Sequence, residues 1–166
     1  MTDPTSTTQP PPTPVEVRPA TVADVEAILC LREMMFEDMG LAGERAGWIG
    51  ACRQILVDGL TAGDLIGVVA ETEDGLVVAS GLATIRRWLP GPTNPSGLRG
   101  YIGSMATLEP WRRQGIGRLV AEHLIAGLTV RGAVDIELHA TEAGENIYRS
   151  LGFNPNATST EMTLRI

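Results

Sequence analysis

The stretch from Tyr101 to Leu128 narrows the choice of fold more than any other part of the chain. Tyr101 to Leu108 reads as a buried strand, after which Ile116, Val120, Leu124 and Leu128 step by four residues along one face of a helix. Between the two lies a tight turn rich in arginine and glycine, within "SMATLEPWRRQGIGR" at Ser104–Arg118. Further β-like runs are clustered between helical patterns on either side of this unit. Together they imply a mixed α/β (α+β) domain whose sheet is covered on both faces.

Val15 to Arg18 alternate apolar and charged residues and stop at Pro19, the pattern of a first strand. Thr21 followed by Asp24 predicts a helix start, and Val25, Ile28, Leu29, Met35 and Met39 continue it as far as Gly40. A second helical pattern carries Trp48, Cys52, Ile55 and Leu56 and is expected to stop near Gly59. Leu65–Ala70 and Leu76–Ile85 read as strands joined through Asp74-Gly75, a strong hairpin signal. After the central helix come a strand at Val134–Leu138, a short helix from Glu142 to Leu151 and a last strand near Thr160 to Arg165. Residues 1–14, with five prolines, five threonines and a serine, bury too little to offset the entropy of ordering them and read as a tail. Residues 15–166 form the one domain.

With 166 residues, 43% of them apolar, the chain can bury a single sizeable core. No apolar run is long enough to span a membrane and no leader pattern opens the chain, so the expected setting is cytoplasmic. Cys30 and Cys52 lack the spacing of a zinc site or redox pair and are read as reduced, half-buried helix residues; no metal is expected. A net charge of −7 weighs against a nucleic-acid partner and suits a cationic acceptor, or simply solubility. All 13 basic side chains are arginine, so the chain has no lysine to modify.

The turn at Arg112–Gly117 carries the chemistry. A helix start presents backbone N–H groups without intrahelical acceptors at the positive end of the helix dipole, which suits a pyrophosphate. Gly115 and Gly117 let phosphates approach, and Arg112, Arg113 and Arg118 add charge. A nucleotide P-loop would need lysine followed by serine or threonine, and a Rossmann turn would need three glycines in another spacing.

Arg112-Arg113-Gln114-Gly115-Ile116-Gly117 resembles the phosphate signature of the GCN5-related N-acetyltransferase family: Arg or Gln, two residues, Gly, one residue, Gly or Ala. Downstream, Tyr148-Arg149-Ser150-Leu151-Gly152-Phe153 resembles that family's Tyr-x-x-x-Gly-Phe segment, and the order of elements agrees over residues 15–166. The resemblance implies a mixed sheet of six to seven strands, flanked by about four helices and splayed between the fourth and fifth strands, with acetyl-coenzyme A (acetyl-CoA) lying in the gap. Backbone groups of Met105, Ala106 and Thr107 would then face the pantetheine. The loop Arg112, Arg113, Gln114, Gly115, Ile116, Gly117 and Arg118 would hold the pyrophosphate. Thr141 stands where the family often has an asparagine that contacts the cofactor, which puts that one contact in doubt. Dimers are common in the family, which leaves a homodimer open.

On this mapping Tyr148 is placed to protonate the departing thiolate, since a tyrosine is protonated at neutral pH. Its alternative role is packing of the last helix. A base must take a proton from the ammonium acceptor; Glu137 and His139 alternate on one face of the fifth strand and are the candidates, with Tyr101 and Ser104 able to hold a water. His123 reads as partly buried packing. Met34–Trp48 corresponds to the family's acceptor-facing connection, where Glu37, Asp38 and Glu44 could attract a cationic amine and Met34, Met35 and Phe36 line a site or belong to the core. Two functions compete: acetyl transfer to a primary amine of a small molecule or peptide N-terminus, and a silent acyl-CoA-binding sensor or interaction module. Retention of Tyr148 and both glycines favours the first.

Overall fold

A computed structural model describes residues 14–41, 47–156 and 163–164. The elements are β1 (Val15–Pro19), α1 (Val25–Asp38), α2 (Ile49–Ala62), β2 (Leu65–Thr72), β3 (Val77–Arg87), β4 (Leu98–Thr107), α3 (Ile116–Val130), β5 (Asp135–Leu138) and α4 (Glu142–Ser150). The five strands form one sheet in the order β1-β2-β3-β4-β5, antiparallel up to β4 and parallel between β4 and β5, where α3 makes the crossover. Six to seven strands were expected. The last one, at Thr160 to Arg165, falls outside the described residues except for Thr163 and Leu164, and so does the tail before Pro14.

Period-two alternation fails in β2 because both faces are covered: Val68 and Ala70 pack under α3, whereas Val69 packs under α1 and α2. Ile116, Val120, Leu124 and Leu128 are all buried on the α3 side. Two glycines allow that helix to approach: a Cβ at Gly81 would collide with Met105, Val120 and Leu124, and one at Gly100 would lie 2.7 Å from Leu128 Cδ1. On the opposite face Val25, Ile28, Leu29 and Leu56 close over Val69 and Leu82. Arg18 of β1 fastens the entry to α1 through Asp24, at 2.8 and 2.9 Å, while Asp24 Oδ2 accepts from the Thr21 amide at 2.7 Å.

Two sequence expectations are corrected here. The second helix runs through Gly59 and ends at Gly63, which supplies the left-handed φ of +77°. Gly59 is needed instead for contact, since a Cβ there would stand 2.8 Å from Leu65 Cβ. Cys30 is exposed and not half-buried, while Cys52 is partly buried; both are free thiols.

Candidate active site

β4 and β5 are paired only from Arg99↔Asp135 to Ile102↔Leu138. Beyond Ile102 the edge of β4 that faced β5 has no strand partner among the described residues, which opens the sheet at Gly103–Thr107. On its other edge β4 holds an irregularity: the register to β3 shifts between Ser80 and Leu82, and Ser104 takes a φ of +53°. Met105 turns toward α3 beside Gly81, whereas Ala106 and Thr107 continue the ladder to Ser80 and Ala79.

The chain then makes one 3-10 turn at Glu109–Trp111 and enters the arginine–glycine turn. Arg113 and Gly115 both take left-handed backbone, at φ +62° and +81°. Such an alternation turns successive amides toward a common concavity suited to an anion. Among the described residues the amides of Arg113 through Gly117 donate to no backbone carbonyl, and Gly115 caps α3. Gln114 donates from Nε2 to the Pro110 carbonyl at 3.0 Å and leaves a buried Oε1 without a partner.

The arginines of the turn differ in what they do. Arg112 donates from Nε to the Thr107 carbonyl at 2.9 Å and from Nη2 to Asp38 at 2.5 Å, tying the turn to β4 and to the end of α1. Arg118 pairs with Glu122 one helical turn on, at 2.9 Å. Arg113 makes no ion pair among the described residues. Asp38 is therefore engaged with Arg112, Glu37 is exposed, and Glu44 lies outside the described residues.

Tyr148 sits in α4, which packs on α3 so that Ile147 approaches Gly117. The residue is 9% exposed, and its ring meets Phe153 edge to face at 5.9 Å. Burial pushes the phenol pKa above its ordinary value, so the hydroxyl stays protonated. Thr141 caps α4 through its carbonyl, which accepts from the Gly144 and Glu145 amides at 3.0 Å.

The two candidate bases are held differently. Glu137 is exposed and paired with Arg99 at 2.8 Å. His139 Nδ1 lies 3.1 Å from Tyr101 Oη, the rings standing edge to face at 5.7 Å, with the Arg86 guanidinium 5.9 Å from the Tyr101 ring centre. Tyr101 thus orients the imidazole directly, in addition to any bound water. His123 is not packing: it is exposed, and Nδ1 bonds the Leu119 carbonyl of its own helix at 2.8 Å.

The sequence reading passed over Arg32. Its guanidinium stacks on Phe36 at 5.0 Å, and Phe36 meets Trp48 edge to face at 5.4 Å. No local pattern distinguishes this arginine from a surface residue of α1; only the fold brings it against α2.

An "Acetyltransferase (GNAT) domain" family profile matches residues 63–155. A GCN5-related N-acetyltransferase from Ralstonia eutropha is 32% identical, with 92% of this chain and 99% of that one covered and a TM-score of 0.82. A predicted acetyltransferase with acetyl-CoA from Clostridium acetobutylicum is 22% identical over 90% of this chain and 96% of its own, with a TM-score of 0.80. Glucosamine-6-phosphate N-acetyltransferase from Arabidopsis thaliana shares the fold at 15% identity, 92% and 99% coverage and a TM-score of 0.72. No curated protein matches the sequence.

Proposed function

This chain belongs to the GCN5-related N-acetyltransferases, and on that premise we propose that it moves an acetyl group from acetyl-CoA to a primary amine by direct attack in a ternary complex. The acceptor is a small molecule or a peptide N-terminus. The observation that carries the reading is the turn at Arg113–Gly117, whose backbone amides have no acceptor among the described residues. Such a set of donors fits a pyrophosphate, and the opened edge of β4 fits an extended arm. The acetyl-CoA bound by the Clostridium acetobutylicum neighbour accords with this use of the fold.

Acetyl-CoA supplies a thioester whose carbonyl is open to attack. The residues of this chain then have four tasks. Amides of the turn hold the phosphates, while Arg112 fixes the turn through Thr107 and Asp38. Backbone groups of Met105–Thr107 orient the arm and the carbonyl. His139, whose ring is oriented by the Tyr101 hydroxyl, serves as base for the ammonium, with Glu137 beside it on the same face. Tyr148 gives its proton to the departing sulfur, because burial keeps the phenol neutral.

The test is release of free thiol from acetyl-CoA across a panel of amines and peptides, beside calorimetry of acetyl-CoA binding. Micromolar binding with amine-dependent thiol release is expected. Binding without release from any amine would leave only the silent binding module.

A further inference from the structure

Between α1, α2 and the sheet face under them lies a cavity of about 320 Å³, with Arg32, Trp48, Cys52, Leu56, Leu65 and Leu82 among its eight lining residues. All of the lining except Arg32 is apolar or aromatic. Arg32 is a cation stacked on Phe36, and its Nε is buried without a hydrogen-bond partner. Among the described residues Arg32 has no ion pair, as is also true of Arg86, Arg87, Arg113 and Arg131, but of these it alone has a buried guanidinium nitrogen left without a hydrogen-bond partner. A second buried and unpaired polar atom, Thr84 Oγ1, belongs to the residue opposite Leu65 in the sheet.

Leaving a buried donor unpaired is costly, more so on a charged group, so an arginine kept this way against an apolar wall is suited to a ligand that brings the acceptor. The charge calls for an anion. One planar guanidinium matches one planar carboxylate, whereas a dianionic phosphate would leave charge uncompensated against the apolar walls. The size and lining are those of a small-molecule pocket.

The cavity also lies on the reactive side of the sheet. Leu82 is opposite Gly103 in β4, a Cβ at Gly103 would stand 3.2 Å from the Tyr101 ring, and Tyr101 carries His139. Leu82, Gly103, Tyr101 and His139 are thus successive neighbours on the face of the sheet that the cavity shares.

The geometry points to an acceptor that carries a carboxylate and an apolar side group as well as its amine, an apolar α-amino acid in the simplest case, with Arg32 as the seat of the carboxylate. This rests on the acetyl-transfer reading and narrows it to a substrate class. Attack by the neutral amine forms the new N–C bond and breaks the C–S bond. Of the two protons the ammonium nitrogen loses, one passes through the base to water before attack and the other, released as the amide forms, restores the proton that Tyr148 gives to the thiolate, so the products are the amide, the free thiol and one proton in water.

Thiol release is measured with phenylalanine, phenylalaninamide and 2-phenylethylamine, which share the ring and amine and differ at the carboxylate. Phenylalanine is expected to be preferred. In Arg32→Leu and Arg32→Gln its KM should rise about 10- to 100-fold, the value of a charge-assisted hydrogen bond, with acetyl-CoA affinity unchanged and the preference over the amide lost. Equal or better use of the amide or the simple amine by the parent protein, or an unchanged KM in both folded variants, would overturn the assignment. If no amine releases thiol, the transferase reading fails by itself; calorimetry with N-acetylphenylalanine then decides the seat. Binding that is lost in both Arg32 variants supports it, and no binding to the parent removes it.

Discussion

At Arg112–Gly117 the working groups are backbone amides, and the conspicuous side chains serve other ends: Arg112 braces the turn against Asp38, and Arg118 pairs within its own helix. In the cavity under α1 and α2 the situation is reversed. There the character of the site comes from side chains, Arg32 of α1, Trp48 at the start of α2 and Leu82 of β3. A backbone site tolerates many side chains but few conformations. A side-chain site tolerates a shifted backbone poorly and a changed residue worse, which is how one fold can keep its acyl donor while acceptors diversify.

The largest effect that would sharpen this contrast lies at Tyr148, the one side chain on which the donor half depends. Tyr148→Phe keeps the ring against Phe153 and removes only the hydroxyl, so acetyl-CoA should bind as before while the single-turnover rate falls about 10²- to 10⁴-fold. The pH profile gives a second readout. Burial raises the phenol pKa above its ordinary value near 10, so the parent should lose activity to tyrosine ionisation only above that pH, and the variant should lack this alkaline limb. A single-turnover rate within about threefold of the parent would assign Tyr148 to packing alone.

Next comes the conformation of the turn. An added Cβ at Gly115 meets nothing within 4 Å, so Gly115→Val tests the left-handed φ of +81° and not space. The strain of roughly 1–2 kcal/mol should appear as an acetyl-CoA dissociation constant raised about 5- to 30-fold, with the thermal midpoint nearly kept if the loop relaxes to another shape. Unchanged affinity in the folded variant would show that the amides of this turn are not the phosphate site.

This division also explains what could be read from the sequence. The β4–turn–α3 unit was legible because its constraints are local: Ile116, Val120, Leu124 and Leu128 mark the helix, and glycine at 115 answers a positive φ. Tyr148 was legible through a second short motif placed on α4. Arg32 was not, because its meaning arises only where α1 crosses α2, and neither was the irregularity at Ser104, since nothing in a serine announces a left-handed backbone. The end of α2 was misplaced for a related reason: Gly59 reads as a stop from propensity, yet it is a contact glycine against Leu65, and the stop belongs to Gly63. Asp38 reads from the sequence as a carboxylate that either attracts a cationic acceptor or is simply solvated, whereas the fold gives it a partner 74 residues away in the chain.

That last pair is the seam between the two regions and the place of the smallest expected effect. Arg112 Nη2 to Asp38 Oδ2, at 2.5 Å, is an ion pair that joins the phosphate turn to the end of α1, the helix that carries Arg32, beside a longer contact to Met34 Sδ at 3.9 Å. Both side chains are substantially exposed, 40% and 50%, so water and salt screen the attraction and the pair is worth about 0.2–1 kcal/mol. Asp38→Asn keeps an acceptor oxygen for Arg112 but removes the charge. If the two regions are independent, acetyl-CoA affinity and acceptor KM each stay within about twofold, since neither site loses a contacting group. If the seam transmits between them, both constants shift together by up to about fivefold, and binding one substrate first changes affinity for the other by the same factor, as linkage requires. Raising the ionic strength should bring the parent closer to the variant, beyond the weakening of anionic-ligand binding that both proteins share, because only the parent has the extra charged pair to screen. A shift in acceptor KM alone, unaltered by salt, would mean instead that Asp38 meets the acceptor directly.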